Sequence, residues 1–188
     1  MSKNGSVTVI TSMVNFVDST TEYIGKLISW LTLFMVVLTF IIVVMRYGFN
    51  IGSIAMQESV LYFHGLVFML GAAYTLKADG HVRVDIFYQK FSPKKKALVN
   101  ILGTLFLLLP VCIFIFVISF DYVATAWRIL EQSPEAGGLP LVYISKSYLL
   151  LLAISLTMQG LAEIGRNYLI VMDNDSLSNG NAKKGSYS

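Results

Sequence analysis

The chain has 188 residues, of which 55% are apolar, 13% aromatic and only 13% charged, and its mean hydropathy is +0.67. A soluble domain carries about 45–50% apolar and about 25% charged residues, so this chain lacks the polar surface to cover a water-soluble globule and must be solvated largely by lipid. That excludes a soluble enzyme. The net charge of +3 comes from loop lysines, with no basic stripe interleaved with aromatics, which argues against nucleic-acid binding. A single cysteine, Cys112, gives no disulfide framework and no thiolate metal cluster. Inside an apolar run it reads as a small core residue, with a reactive thiol as the alternative.

The first element is short. Ile10, Met13, Val14 and Val17 follow i, i+3, i+4, i+7 spacing, with Thr11, Ser12, Asn15 and Asp18 on other faces. This predicts an amphipathic helix, either interfacial on the membrane or packed on a partner protein. The first span, residues 27–45, has no ionisable residue and is bracketed by Lys26 and Arg46. It is too long for a signal-peptide core and no small-residue cleavage site follows, so an uncleaved anchor is expected. The second span, 59–76, is bounded by Glu58 and Lys77 and interrupted only by His64. Val84, Phe87, Tyr88 and Phe91 then repeat the amphipathic spacing among Arg83, Asp85, Gln89 and Lys90. Ser92-Pro93 marks a helix start, Ser as N-cap and Pro at the first helical position. The third span covers 97–120 and the fourth 147–164. From Asp173 the composition cannot bury a core, so residues 167–188 are expected to form a disordered tail.

A run of about 20 apolar residues crosses about 30 Å of hydrocarbon as a helix, which satisfies its own backbone groups where water is absent. The fold class expected is therefore all-α and integral to the membrane: residues 1–26 as an N-terminal segment, 27–166 as a four-helix membrane domain, then the tail. Four spans place both termini on one side. Lys3, Lys26, Lys77, Arg83, Lys90, Lys94, Lys95, Lys96, Arg166, Lys183 and Lys184 lie on that side, against Arg46, Arg128 and Lys146 on the other. By the positive-inside rule both termini are cytoplasmic.

The polar residues of the spans are few. His64, near the centre of the second span, reads as a neutral imidazole bonded to a neighbouring helix; a proton relay is the alternative, and haem ligation lacks a second histidine at similar depth. Asp121 is expected at the outer interface beside Tyr122, Trp127 and Arg128, as a solvated charge or an ion site. Arg46 and Glu58 flank the first outer turn and could pair, pinning the first two spans, or meet a second protein. Gly65, Ala72, Gly71, Ala73, Gly103 and Thr104 suggest close helix approach. Pro110 should bend the third span, as a substrate gate or as a shape matching a neighbouring subunit. Asp79, His81, Arg83 and Asp85 suit a loop closed by ion pairs, with a metal site as the alternative. Lys94, Lys95 and Lys96 suit lipid headgroups.

RYGFNIGSIAMQE (46–58), GAAYTLKADGHVRVDIFY (71–88), SPKKK (92–96), GTLFLLLP (103–110), EQSPEAGGLP (131–140) and Gln159-Gly160 together resemble the small membrane subunit, the DctQ-type small permease, of tripartite ATP-independent periplasmic (TRAP) transporters. The resemblance spans roughly residues 22–166 and is nearest to the mannitol, chloroaromatic and organic-acid branch. It implies a division of labour: a periplasmic binding protein captures substrate, a large membrane subunit holds the substrate and sodium sites, and the small subunit partners it. Carried over by position, Arg46, Gln57, Glu58, His81, Arg83 and Asp85 are motif residues at a subunit interface or structural contact, and Asn50, Gly137, Gly138 and Pro140 shape the outer loops where the binding protein docks. No family motif residue is a substrate ligand, and no cofactor is implied beyond sodium ions in the partner.

The expected function is a scaffold in a bacterial inner membrane. It holds the large sodium-coupled subunit in register with the bilayer and helps dock the binding protein for uptake of an organic acid or similar anion. The rival reading is a haem- or quinone-associated anchor of a respiratory enzyme, for which His64 and Tyr62 would speak.

Overall fold

The structure is a computed structural model, and it describes residues 2–80, 88 and 90–184, with side chains described for 5, 7–80, 88 and 90–172. Its elements are α1 (Ser2–Gly48), α2 (Ile54–Lys77), α3 (Pro93–Gly103), a π-helical turn (Thr104–Leu108), α4 (Leu109–Ile129) and α5 (Val142–Lys184). Among the described residues four helical stretches are long and apolar enough to cross a membrane: Val7–Gly48, Ile54–Lys77, Pro93–Ile129 and Val142–Met172. The protein is a multi-pass membrane protein built from four helices, as the hydropathy predicts.

Segment 10–17 is helical, as its periodicity predicts, yet it is not a separate element. It is the first part of a 47-residue helix that runs unbroken into the first span, about 70 Å long at 1.5 Å per residue. No proline or helix-stopping motif intervenes between residues 17 and 27. The apolar stripe lies against α5: Ile10 and Val14 face Gly165 so closely that an added Cβ there would press on both. At the other end α5 continues to Lys184, past Asp173, where composition alone suggested a disordered tail.

α5 packs against every other helix, and α1 also packs on α2. The buried positions are mostly small: Ala73, Ala97, Cys112, Ala126, Ala153 and Ala162. Bulky side chains point outward, with Trp30 71%, Phe40 67% and Leu107 70% exposed. Small inside and large outside is the arrangement of helices that approach through Ala and Gly while lipid covers the rest. Cys112 is buried, in keeping with a core residue. Gly65 faces the Tyr148 ring and Gly25 receives the ring of Tyr74, whereas Gly71 and Gly103 have open space where a Cβ would go. Close approach is thus made at Gly65 and not at Gly71 or Gly103.

Ser92 and Pro93 start α3 in the positions expected, although the Ser92 hydroxyl makes no capping bond. The irregularity anticipated at Pro110 falls one turn earlier. Proline offers no N–H to the carbonyl four residues back and crowds it. The backbone answers with a π turn over Thr104–Leu108, closed by Leu109 N–H to the Thr104 carbonyl. Gly160 of α5 lies against this turn, where a Cβ would collide with Leu108 and crowd Thr104.

Candidate functional site

Polar side chains collect at the two ends of the bundle. At the end holding both termini, α1 contributes Asp18, Thr21 and Glu22 at i, i+3, i+4, and α5 contributes Gln159, Glu163, Arg166 and Asn167, four residues on one helical face. Gln159 is fully buried. It accepts from Thr21 Oγ1 at 2.8 Å and donates from Nε2 to Asp18 Oδ1 at 3.0 Å. Arg166 Nη2 donates to Asp18 Oδ2 at 2.7 Å, and its Nη1 reaches Glu163. Lys77 of α2 donates to the Asp18 carbonyl at 2.9 Å and pairs with Glu22 at 2.8 Å, and Lys26 takes the other Glu22 oxygen at 2.9 Å. Asn167, 4% exposed, donates to the Glu163 carbonyl and carboxylate, each at 2.8 Å, and accepts from Asn100 of α3 at 3.3 Å. Tyr88 donates to Asn100 Oδ1 at 3.0 Å.

This network joins α1, α2, α3 and α5. Its Asp18, Glu22 and Glu163 balance Lys26, Lys77 and Arg166, so the cluster is neutral. Among the described residues no buried side-chain nitrogen or oxygen lacks a partner. A saturated, neutral cluster has no free ligand to offer an anion or a cation; it is a clamp. From the sequence, Gln159 stands out only through its place in the family-like Gln159-Gly160 pair, and Asp18, Lys77 and Arg166 only as polar positions without partners. The available signal was polar residues at i, i+4, i+7, i+8 on one face of an otherwise apolar helix.

At the opposite end the loop between α1 and α2 meets the loop between α4 and α5. Glu58, in the second turn of α2, accepts from the Ser133 hydroxyl and from the Leu139 N–H, the latter at 2.6 Å. Gly138 passes so close that a Cβ would strike Ser133 and Glu58, and Gly137 takes φ +81°, a conformation L side chains rarely adopt. Lys146 pairs with Glu131 at 2.5 Å and sits 4.0 Å above the Tyr122 ring, while Trp127 donates to Ser147 at 2.8 Å. The Arg46–Glu58 pair considered from sequence is therefore not made: the carboxylate is turned to the loop between α4 and α5. Arg46 instead lines a recess of about 650 Å³ with Tyr47, Asn50, Gly52, Ser53 and Gln57. Asn50 turns this corner in the left-handed region, φ 55°. Pro140 is exposed beyond the Glu58 contact.

The structure thus brings Arg46, Asn50 and Gln57 together, and Glu58 with Gly138. His81, Arg83 and Asp85 lie outside the described residues, as does most of the second amphipathic segment. Asp121 is exposed on α4, about 9 Å of helix rise from Trp127. His64 departs from expectation. It is exposed on the face of α2 turned away from the bundle, and among the described residues it makes no hydrogen bond to a neighbouring helix. Gly65, one residue on and about 100° around the helix, takes the inward position against Tyr148.

Residues 35–169 match the family described as tripartite ATP-independent periplasmic transporters, DctQ component. No curated protein and no solved structure matches the chain.

Proposed function

The chain belongs to the DctQ family, the small-subunit component of TRAP transporters, and from that premise we propose that it is the fixed brace of a sodium-coupled uptake system in a bacterial inner membrane, both termini cytoplasmic. It holds the large membrane subunit in register with the bilayer while that subunit moves the substrate, and its outer loops help dock the periplasmic binding protein. The observation that carries this reading is the distribution of hydrogen-bonded polar clusters: they are gathered at the two ends of the bundle, with small residues packed between, and the spans hold no carboxylate at mid-depth. An ion-coupled carrier keeps carboxylates, amides or broken helices at mid-depth around a wet path.

The join between Glu58 and the Ser133–Leu139 segment makes one continuous outer surface of both loops, and the Arg46 recess opens beside it. That supports a docking role for Asn50, Gly137, Gly138 and Pro140. The excess of Lys and Arg at the termini end supports the cytoplasmic assignment, and Lys94 to Lys96 at the start of α3 suit lipid headgroups. The cargo we propose is an organic acid or similar anion, a reading that rests on the resemblance of the sequence motifs to the mannitol, chloroaromatic and organic-acid branch. The haem- or quinone-anchor reading loses its main support with His64 on the outer face.

Liposomes holding this chain with its large subunit, supplied with the binding protein outside, test the reading. Organic-acid uptake is expected only with an inward sodium gradient and the binding protein present; uptake unchanged without either would overturn it.

A further inference from the structure

On α2 the exposed side chains are Ile54, Gln57, Leu61, His64, Phe68 and Tyr74; Tyr74 lies against Gly25 of α1, and the first five run in a 3-4-3-4 spacing. Seven residues beyond His64 the same row reaches Gly71, where a Cβ would meet nothing within 4 Å. Such a row is the seam by which one helix receives another at a shallow crossing angle. Elsewhere in the spans the exposed surface is mostly bulky and apolar, Phe34, Val37 and Phe40 on α1 and Phe114, Val117 and Ile118 on α4, which lipid covers without loss, and the exposed hydroxyls of Ser29, Thr32 and Thr39 donate to carbonyls of their own helix.

The α2 row differs in chemistry. His64 lies 10 residues from the start of α2 and 13 from its end, so the imidazole sits at mid-depth, where acyl chains offer no hydrogen bond and an unmet polar group costs several kcal/mol. Gln57, on the same row, opens into the Arg46 recess at the outer end. Asp121 of α4 is exposed too, but nearer Trp127 and the interface, within reach of water. Lipid fits the outer faces of α1 and α4; it does not fit this one. A helix does, provided it carries a hydrogen-bonding side chain level with His64.

We infer that the α2 row of Ile54, Gln57, Leu61, His64 and Phe68 is the seam on which a transmembrane helix of the large subunit docks, with a polar side chain of that helix bonded to the His64 imidazole. The inference rests on the small-subunit reading above and specifies its partner-facing surface. Gly71 lets the incoming backbone approach at the inner end, and the recess admits a polar side chain at the outer end.

The test uses the full chain co-expressed with its large subunit in bacterial membranes. A photo-reactive phenylalanine analogue is placed at Leu61 or Phe68 and, for comparison, at Phe114 or Val117 on α4. Adducts to the large subunit are expected from the α2 positions, about tenfold above the α4 positions. His64→Leu is expected to lower the large subunit retained on purification roughly three- to tenfold, with His64→Gln retaining it, in line with a single intramembrane hydrogen bond. The same His64→Leu chain purified alone should unfold no earlier than wild type, which separates a docking role from a structural one. Adducts only between two copies of this chain, only to lipid, or mainly from α4 would overturn the seam. If the unaltered chain fails to co-purify with the large subunit, the small-subunit reading itself fails, and the seam with it; if it co-purifies while Leu61 and Phe68 stay silent, the seam alone fails.

Discussion

Gln159 and Asp18, 141 residues apart in the chain, meet with the Gln159 Nε2 donating to Asp18 Oδ1 at 3.0 Å. Through this contact the beginning of the chain is fixed to its last span at one height. Thr21 and Arg166 extend the contact to either side, and Lys77 ties α2 to the same Asp18 through its carbonyl. A bundle held together by alanine contacts alone has little to set the heights of its helices; a saturated polar network does so.

Gln159→Leu keeps most of the volume and removes both bonds, leaving Thr21 without its acceptor and one Asp18 oxygen without its donor. The expected cost is about 1–3 kcal/mol. Thermal unfolding of the purified chain in detergent should show a midpoint lowered by roughly 2–10 °C. An unchanged midpoint would mean that the network contributes nothing to the bundle.

The Asp18–Arg166 ion pair joins side chains that are 21% and 35% exposed. A double-mutant cycle with Asp18→Ala and Arg166→Ala should return a coupling of about 0.5–3 kcal/mol. Strict additivity of the two losses would show the pair to be incidental.

How much of this was legible in the sequence depends on the kind of interaction. The four spans, the buried Cys112 and the Ser92-Pro93 start follow from hydropathy and local steric rules. The polar end clusters do not, because each links residues far apart in the chain and single-chain periodicity gives a face without its partner. Glu58 illustrates the difficulty: Arg46 is near in sequence and opposite in charge, yet the carboxylate serves a backbone amide and a hydroxyl of a loop more than 70 residues away. His64 shows a related difficulty, since one residue of phase on a helix separates the face packed within the chain from the exposed face.

Glu58→Ala should release the loop between α4 and α5. Hydrogen exchange at the Leu139 amide is expected to quicken about tenfold or more, the worth of a hydrogen bond to a charged acceptor. Arg46→Ala should leave that amide unchanged. Exchanging the charges, Arg46→Glu with Glu58→Arg, should restore nothing. Rescue by the exchange would show that the two side chains pair after all.

Gly160→Val places methyl groups against Leu108 and Thr104 on the π turn. Overpacking of this kind costs about 1–3 kcal/mol. Gly71→Ala enters open space and replaces glycine in a helix interior, so the isolated chain should be unaffected or stabilised by about 0.5–1 kcal/mol. Equal effects of the two substitutions on the unfolding midpoint would contradict the packing described for α5 and the π turn.

The central claim is that this chain supports a carrier and is not one. Liposomes containing this chain alone, the large subunit alone, or both together, each supplied with the binding protein and an imposed sodium gradient, measure it directly. Substrate accumulation is expected only where both membrane subunits are present. Accumulation in vesicles that contain this chain without its partner would contradict the account.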